Sequence, residues 1–106
     1  MNTEKIQTLL GELNVESTDI QASALISIDG LMLAYAFSNK IEEDIVAATS
    51  AALCALSQRI AKELSRGAIE RLFIQGEQGY ILMESVDENT VLTVLAKPNA
   101  QFGLVF

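Results

Sequence analysis

The sequence contains no histidine and no tryptophan, and only one cysteine and one proline among its 106 residues. Without histidine it lacks both the commonest general acid/base and the commonest metal ligand. The lone Cys54 has no internal disulfide partner. Set among alanines, it reads as a small buried hydrophobe, with an intermolecular bridge across a helix pair as the rarer alternative. Uninterrupted apolar runs stay under about ten residues, too short to cross a bilayer. Met1-Asn2-Thr3-Glu4-Lys5 leads into an amphipathic pattern and not into the apolar core of a signal peptide, so a cytoplasmic location is expected.

The chemistry of active sites is sparse as well. Triads that use histidine are excluded, and no Ser-x-x-Lys spacing occurs. No lysine follows a glycine, so the phosphate-cradling G-x-x-x-x-G-K loop is absent. The carboxylates of Glu42-Glu43-Asp44 fit a helix start, and those of Asp87-Glu88 fit a solvated turn. The aromatics Tyr35, Phe37, Phe73, Tyr80, Phe102 and Phe106 are scattered and form no base-stacking platform. A net charge of −7 argues against binding a phosphate backbone. The expectation is a non-enzymatic protein with no cofactor, no metal and no nucleic-acid partner.

What the chain does have is a core and a helix. Half of its residues are hydrophobic, enough to fold, and the length fits a single domain over residues 1–106. From Ile41 to Arg66 run 26 residues without Gly or Pro, closed by Gly67. Within them, eight of the nine residues from Ala47 to Ala55 are small. Glu42, Glu43 and Asp44 at its start and Arg59, Lys62 and Arg66 at its end complement a helix dipole. Asn39 is the expected N-cap, with Glu42 in capping-box position. Ile45, Ala48, Ala52, Leu56, Ile60 and Leu64 form one apolar stripe; Ala47, Ala51, Cys54 and Ala55 form a second beside it. Two stripes imply two packing partners.

Around this helix the pattern is short and alternating. Ile6, Leu9, Leu10 and Leu13 predict a first helix from Thr3 to Asn14. Ala22–Ile28 and Leu31–Phe37 flank Asp29-Gly30, the signal of a tight hairpin whose two turn residues accept positive φ. Beyond Gly67, Ile69–Gln75, Tyr80–Val86 and Val91–Ala96 predict three strands joined by Gly76-Glu77-Gln78-Gly79 and Asp87-Glu88-Asn89-Thr90. The fold class expected is α+β: a five-stranded antiparallel sheet with a long helix between strands 2 and 3 and an N-terminal helix.

The bases cluster despite the acidic total. Residues 1–50 carry eight acids and two bases, whereas Arg59, Lys62, Arg66 and Arg71 lie close together. Arg59, Lys62 and Arg66 share a helix face. Dipole complementation with local pairing, such as Lys62 near Glu63 or Arg66 with Glu70, explains them most simply. The functional alternative is a docking patch for an acidic partner, or an arginine offered to a nucleotide in trans.

The Ser27-Ile28-Asp29-Gly30-Leu31 hairpin, the small-residue helix 47–55 and the terminal Phe102-Gly103-Leu104-Val105, in that order, resemble the roadblock family. That family includes roadblock-type dynein light chains and prokaryotic regulators of Ras-like small GTPases. The resemblance covers nearly the whole chain. It implies a homodimer or pseudo-dimer in which the long helices pair and the third strands meet. The interface would then use Ala47, Ala51, Cys54 and Ala55 on the helix with Leu72 and Ile74 on the strand, and Ala51→Glu would disrupt it. It also implies binding to a Ras-like GTPase, as a regulator or as a scaffold, and supplies no catalytic arginine. Members commonly carry a further helix after the Leu-Gly-Leu-Val-like segment; this sequence stops at Phe106, so the surface under that helix is expected to be open. A nucleotide-insensitive adaptor of the dynein-light-chain kind and a small-molecule sensor domain are the alternative functions.

Overall fold

The computed structural model describes residues 20–37 and 41–98. The expected first helix, the Asn39 cap and the 102–106 segment lie outside the described residues. Five strands and one helix follow in the order β1 (Ile20–Ser27), β2 (Met32–Phe37), α1 (Glu43–Glu63), β3 (Arg71–Gly76), β4 (Gly79–Asp87) and β5 (Thr90–Ala96). They form one sheet in the order β2-β1-β5-β4-β3, with every neighbouring pair antiparallel. The α+β arrangement expected from the sequence, with a helix between strands 2 and 3, is the one observed.

Register explains which residues meet the helix. Ile26 pairs with Val91, Ala24 with Thr93, Thr93 with Met83 and Met83 with Leu72, so these side chains share one face. On that face Ala24, Ile26, Met83 and Val91 cluster with Val46, Ala47 and Cys54 of α1, flanked by Met32, Phe37, Leu72 and Ile81. The opposite face carries two further buried groups: Leu25 with Ala34, and Ile20 with Leu82 and Val94. β1 and β5 are therefore largely buried on both faces.

The turns differ from expectation in one respect. Asp29-Gly30 does not form a two-residue turn with both φ angles positive. Ile28, Asp29 and Gly30 make a three-residue loop, in which the Gly30 N–H donates to the Ser27 carbonyl and the Ser27 N–H to that of Leu31. Only Gly30 takes a positive φ, at 91°. A tight turn followed by one left-handed glycine is the next commonest hairpin loop. The Ser27 hydroxyl adds to it by accepting from the Leu31 N–H.

The long helix is shorter than the Gly- and Pro-free run. It covers 21 residues, about 31 Å at 1.5 Å per residue. Glu42 stands at its N-cap without a side-chain cap bond. At the other end the Arg66 N–H donates to Ala61 and the Ser65 N–H to Lys62, while Ser65 sits at φ 57°. This is a Schellman ending. The left-handed residue that stops the helix is Ser65, two positions before the expected Gly67.

Candidate interaction surface

The helix turns its small and polar side toward the sheet. Val46, Ala47, Ser50, Cys54, Ser57 and Ala61 are its buried residues, recurring at three- and four-residue steps. Large residues already fill the facing sheet surface, so the helix must approach closely, and small side chains permit it. Ser50 is buried without penalty because the Thr93 hydroxyl donates to its oxygen at 3.1 Å.

This placement divides the interface residues expected from the sequence. Ala47 and Cys54, 4% and 3% exposed, are covered by the chain's own sheet. Their side chains are not on the outside of the protomer, so a disulfide from Cys54 to a second copy has no route. Ala51 is half-buried, its Cβ 3.8 Å from where a side chain on Gly30 would begin. Ala55 is exposed. The stripe that remains outside is the other one. Ile45, Leu56 and Ile60 are 56%, 57% and 48% exposed, and Ala48 and Ala52 are exposed between them. Large apolar side chains lined up along one helix side constitute a patch, unlike scattered surface leucines.

β3 lies at the sheet edge next to β4 only. Of its expected contact residues, Leu72 is half-buried against the helix-side cluster and Ile74 is exposed. The edge strand and the outer face of α1 each present apolar residues.

The basic group divides as well. Arg59 pairs with Glu63 at 3.1 Å, one helical turn on, and Arg71 pairs across the strands with Glu84 at 3.4 Å. Among the described residues, Lys62 and Arg66 form no ion pair and both are exposed. The local partners expected for them, Glu63 and Glu70, are not used. Arg66 lies beyond the helix end, beside an open cleft it shares with Glu70 and Arg71.

Electrostatics elsewhere point to structure. The pKa of the Tyr35 phenol is raised by hydrogen bonding to Glu43 and by the Glu43 charge. Glu43 itself occupies the first turn of α1, where its charge complements the dipole. Burial pushes the Cys54 thiol up, the direction opposite to that of a reactive cysteine. Among the described residues no group of His, Cys, Asp and Glu could hold a metal ion. A cleft of about 440 Å³ lies between Gln58, the 67–69 backbone and the Ser85–Glu88 end of β4. Its lining mixes the apolar Ala68 and Ile69 with Gln58, Ser85, Asp87 and Glu88 and includes no aromatic residue.

Comparison with known proteins decides the family. The Roadblock/LC7 domain matches residues 5–96. The chain belongs to the Roadblock/LC7 domain family. Two uncharacterized proteins of Methanocaldococcus jannaschii, MJ0310 and MJ1340, are each 31% identical to it over 100 residues, covering 94% of this chain and 86% of theirs. Among solved structures, MglB of Myxococcus xanthus matches with a TM-score of 0.90 at 21% identity, over 98% of this chain and 78% of that one. A Roadblock/LC7 domain from Streptomyces avermitilis matches at 0.86 and 19% identity, over 93% and 83% of the two chains. The gliding protein MglB of Thermus thermophilus matches at 0.85 and 23%, over 97% and 78%. At these identities the solved structures establish the shared roadblock fold. Among the described residues, no helix of this roadblock chain is long and apolar enough to cross a membrane.

Proposed function

We propose that this roadblock protein is a homodimeric regulator or scaffold of a Ras-like small GTPase, acting by protein–protein binding without chemistry of its own. Two observations support the dimeric part: Ile45, Leu56 and Ile60 stand exposed along the outer face of α1, and β3 leaves one edge of the sheet open. A second copy would bury both, pairing helix with helix and extending the sheet through β3. An MglB has been solved in a tetrameric arrangement, which supports self-association as a habit of this fold.

The GTPase part rests on the family, whose prokaryotic members the sequence resembles. Regulation would come from holding a partner's switch segments, since no arginine here is marked as a finger. We place the protein in the cytoplasm, where such a partner would be met.

The test is capture on immobilised protein from native lysate, in parallel with excess GTP analogue and with GDP. Retention of a Ras-like GTPase in one nucleotide state only supports the proposal. Retention of large partners regardless of nucleotide replaces it with the adaptor function.

A further inference from the structure

We propose that the end of α1 and the turn after it form a docking site for an acidic segment of a partner protein, with Lys62 and Arg66 receiving its carboxylates. The site requires neither the second copy nor the nucleotide-binding partner proposed above.

The bases of this acidic chain are gathered in one place. Residues 59–71 carry four bases and two acids, a net charge of +2, which leaves −9 on the rest of the sequence. Two of the four bases are committed within the fold. Arg59 bonds Glu63 at 3.1 Å, and Arg71 bonds Glu84 at 3.4 Å. Lys62 and Arg66 are exposed and form no ion pair among the described residues. The helix dipole accounts for Lys62, which lies in the last turn. It accounts much less for Arg66, three residues beyond the last helical residue, Glu63, because the effect fades within the terminal turn.

The backbone holds Arg66 in position. Ser65, at φ 57°, turns the chain out of the helix, and the Arg66 N–H donates to the Ala61 carbonyl at 2.7 Å. The residue then borders an open cleft of about 520 Å³ between the helix end and the start of β3, together with Ala68, Ile69, Glu70 and Arg71. Ala68 and Ile69 also line the neighbouring cleft, the one that contains Asp87 and Glu88. The sign of the charge therefore reverses across two residues. An acidic segment is accepted on the Arg66 side and repelled on the Asp87 side, which confines it to one place.

A small dianion suits this site less well than a peptide. It would concentrate its charge at one point, in a cleft that also contains Glu70. A peptide spreads its carboxylates along the chain. One can then take the planar fork of the Arg66 guanidinium while another meets the Lys62 ammonium.

Fluorescence anisotropy at low salt, with a labelled peptide of repeated Glu-Ser-Asp, tests the site. Wild type is expected to bind it, and not to bind the neutral peptide with Gln and Asn at the acidic positions. Lys62→Glu and Arg66→Glu are each expected to weaken binding at least about fivefold. Lys97→Glu makes the same change of charge just after β5, at the Gly76–Gly79 end of the sheet, away from Arg71, and should weaken it less than about twofold. Arg66→Gln adds no repulsion and leaves the backbone bond to Ala61 in place; it should weaken binding about threefold. Equal losses at positions 62, 66 and 97 would assign the effect to overall charge and overturn the site. So would a wild type that fails to bind the acidic peptide, or that binds the neutral one as tightly. Displacement of the peptide by inorganic phosphate, and not by chloride at the same ionic strength, would overturn the peptide in favour of a small oxyanion.

Discussion

Thr93 and Ser50, 43 positions apart in the chain, join their hydroxyls by a buried hydrogen bond of 3.1 Å between β5 and α1. It is a polar contact in the layer between helix and sheet, beside a largely apolar cluster. Ser50→Ala would leave the Thr93 hydroxyl without that partner and is expected to cost about 1–2 kcal/mol. The double change Ser50→Ala with Thr93→Val should cost less than the sum of the two single changes, because no polar group is then stranded. Urea denaturation of the three variants measures this, and strict additivity would show that the bond contributes nothing.

That contact also shows where the sequence is legible and where it is not. Alternation and turn residues locate every described strand, since period-two patterning and Gly or Asp turns are local properties. Which side of α1 faces inward is a different kind of question. Ile45, Leu56 and Ile60 are the larger residues and Ala47, Ser50 and Cys54 the smaller, so a rule that sends size to the core inverts the helix. The answer depends on how much volume Met83, Ile26 and Val91 have already placed on the sheet, a property of register and not of the helix segment. The repeat of Val46, Ser50, Cys54, Ser57 and Ala61 is present as a signal, hidden because two of its members are serines. Ser65 at the helix end is hidden for another reason: glycine is the residue that ordinarily takes the left-handed conformation ending a helix, and serine does so seldom.

Gly79 is required for two reasons at once. Its φ is 147°, and a Cβ built there would lie 2.4 Å from the carbonyl oxygen of Ala96 on the neighbouring strand. Gly79→Ala is expected to destabilise by at least about 2 kcal/mol. Gly67, also at positive φ but with open space around it, provides the control. Gly67→Ala should cost about 1 kcal/mol from backbone conformation alone. Thermal melts of the two variants that coincide would remove the strand contact from the explanation.

Cys54 couples stability to alkaline pH. Burial raises the folded thiol's pKa above its ordinary value, so above that ordinary value the unfolded chain has lost a proton that the folded chain retains. The unfolded state then binds fewer protons, and stability falls as pH rises. The contribution is fully present below the ordinary thiol pKa and lost as pH climbs through the folded one. Cys54→Ala should therefore flatten the decline of wild-type stability above about pH 8.5, the ordinary thiol value. Parallel curves for the two proteins, followed by denaturant midpoint against pH, would exclude the thiol as its source. In the folded protein the same thiol should react with an alkylating reagent only as fast as the helix opens.

The account depends most on the outer face of α1 being covered by a second copy. Ala52 lies at the centre of that face, exposed and away from the sheet, so a charge there leaves the protomer's own packing untouched. Sedimentation equilibrium of wild type and Ala52→Glu over a range of concentrations tests it most directly. The expected result is a dimer for wild type and a monomer for Ala52→Glu, the dissociation constant rising roughly a hundredfold or more as each copy buries an unpaired carboxylate. Equal masses for the two proteins at every concentration would contradict it.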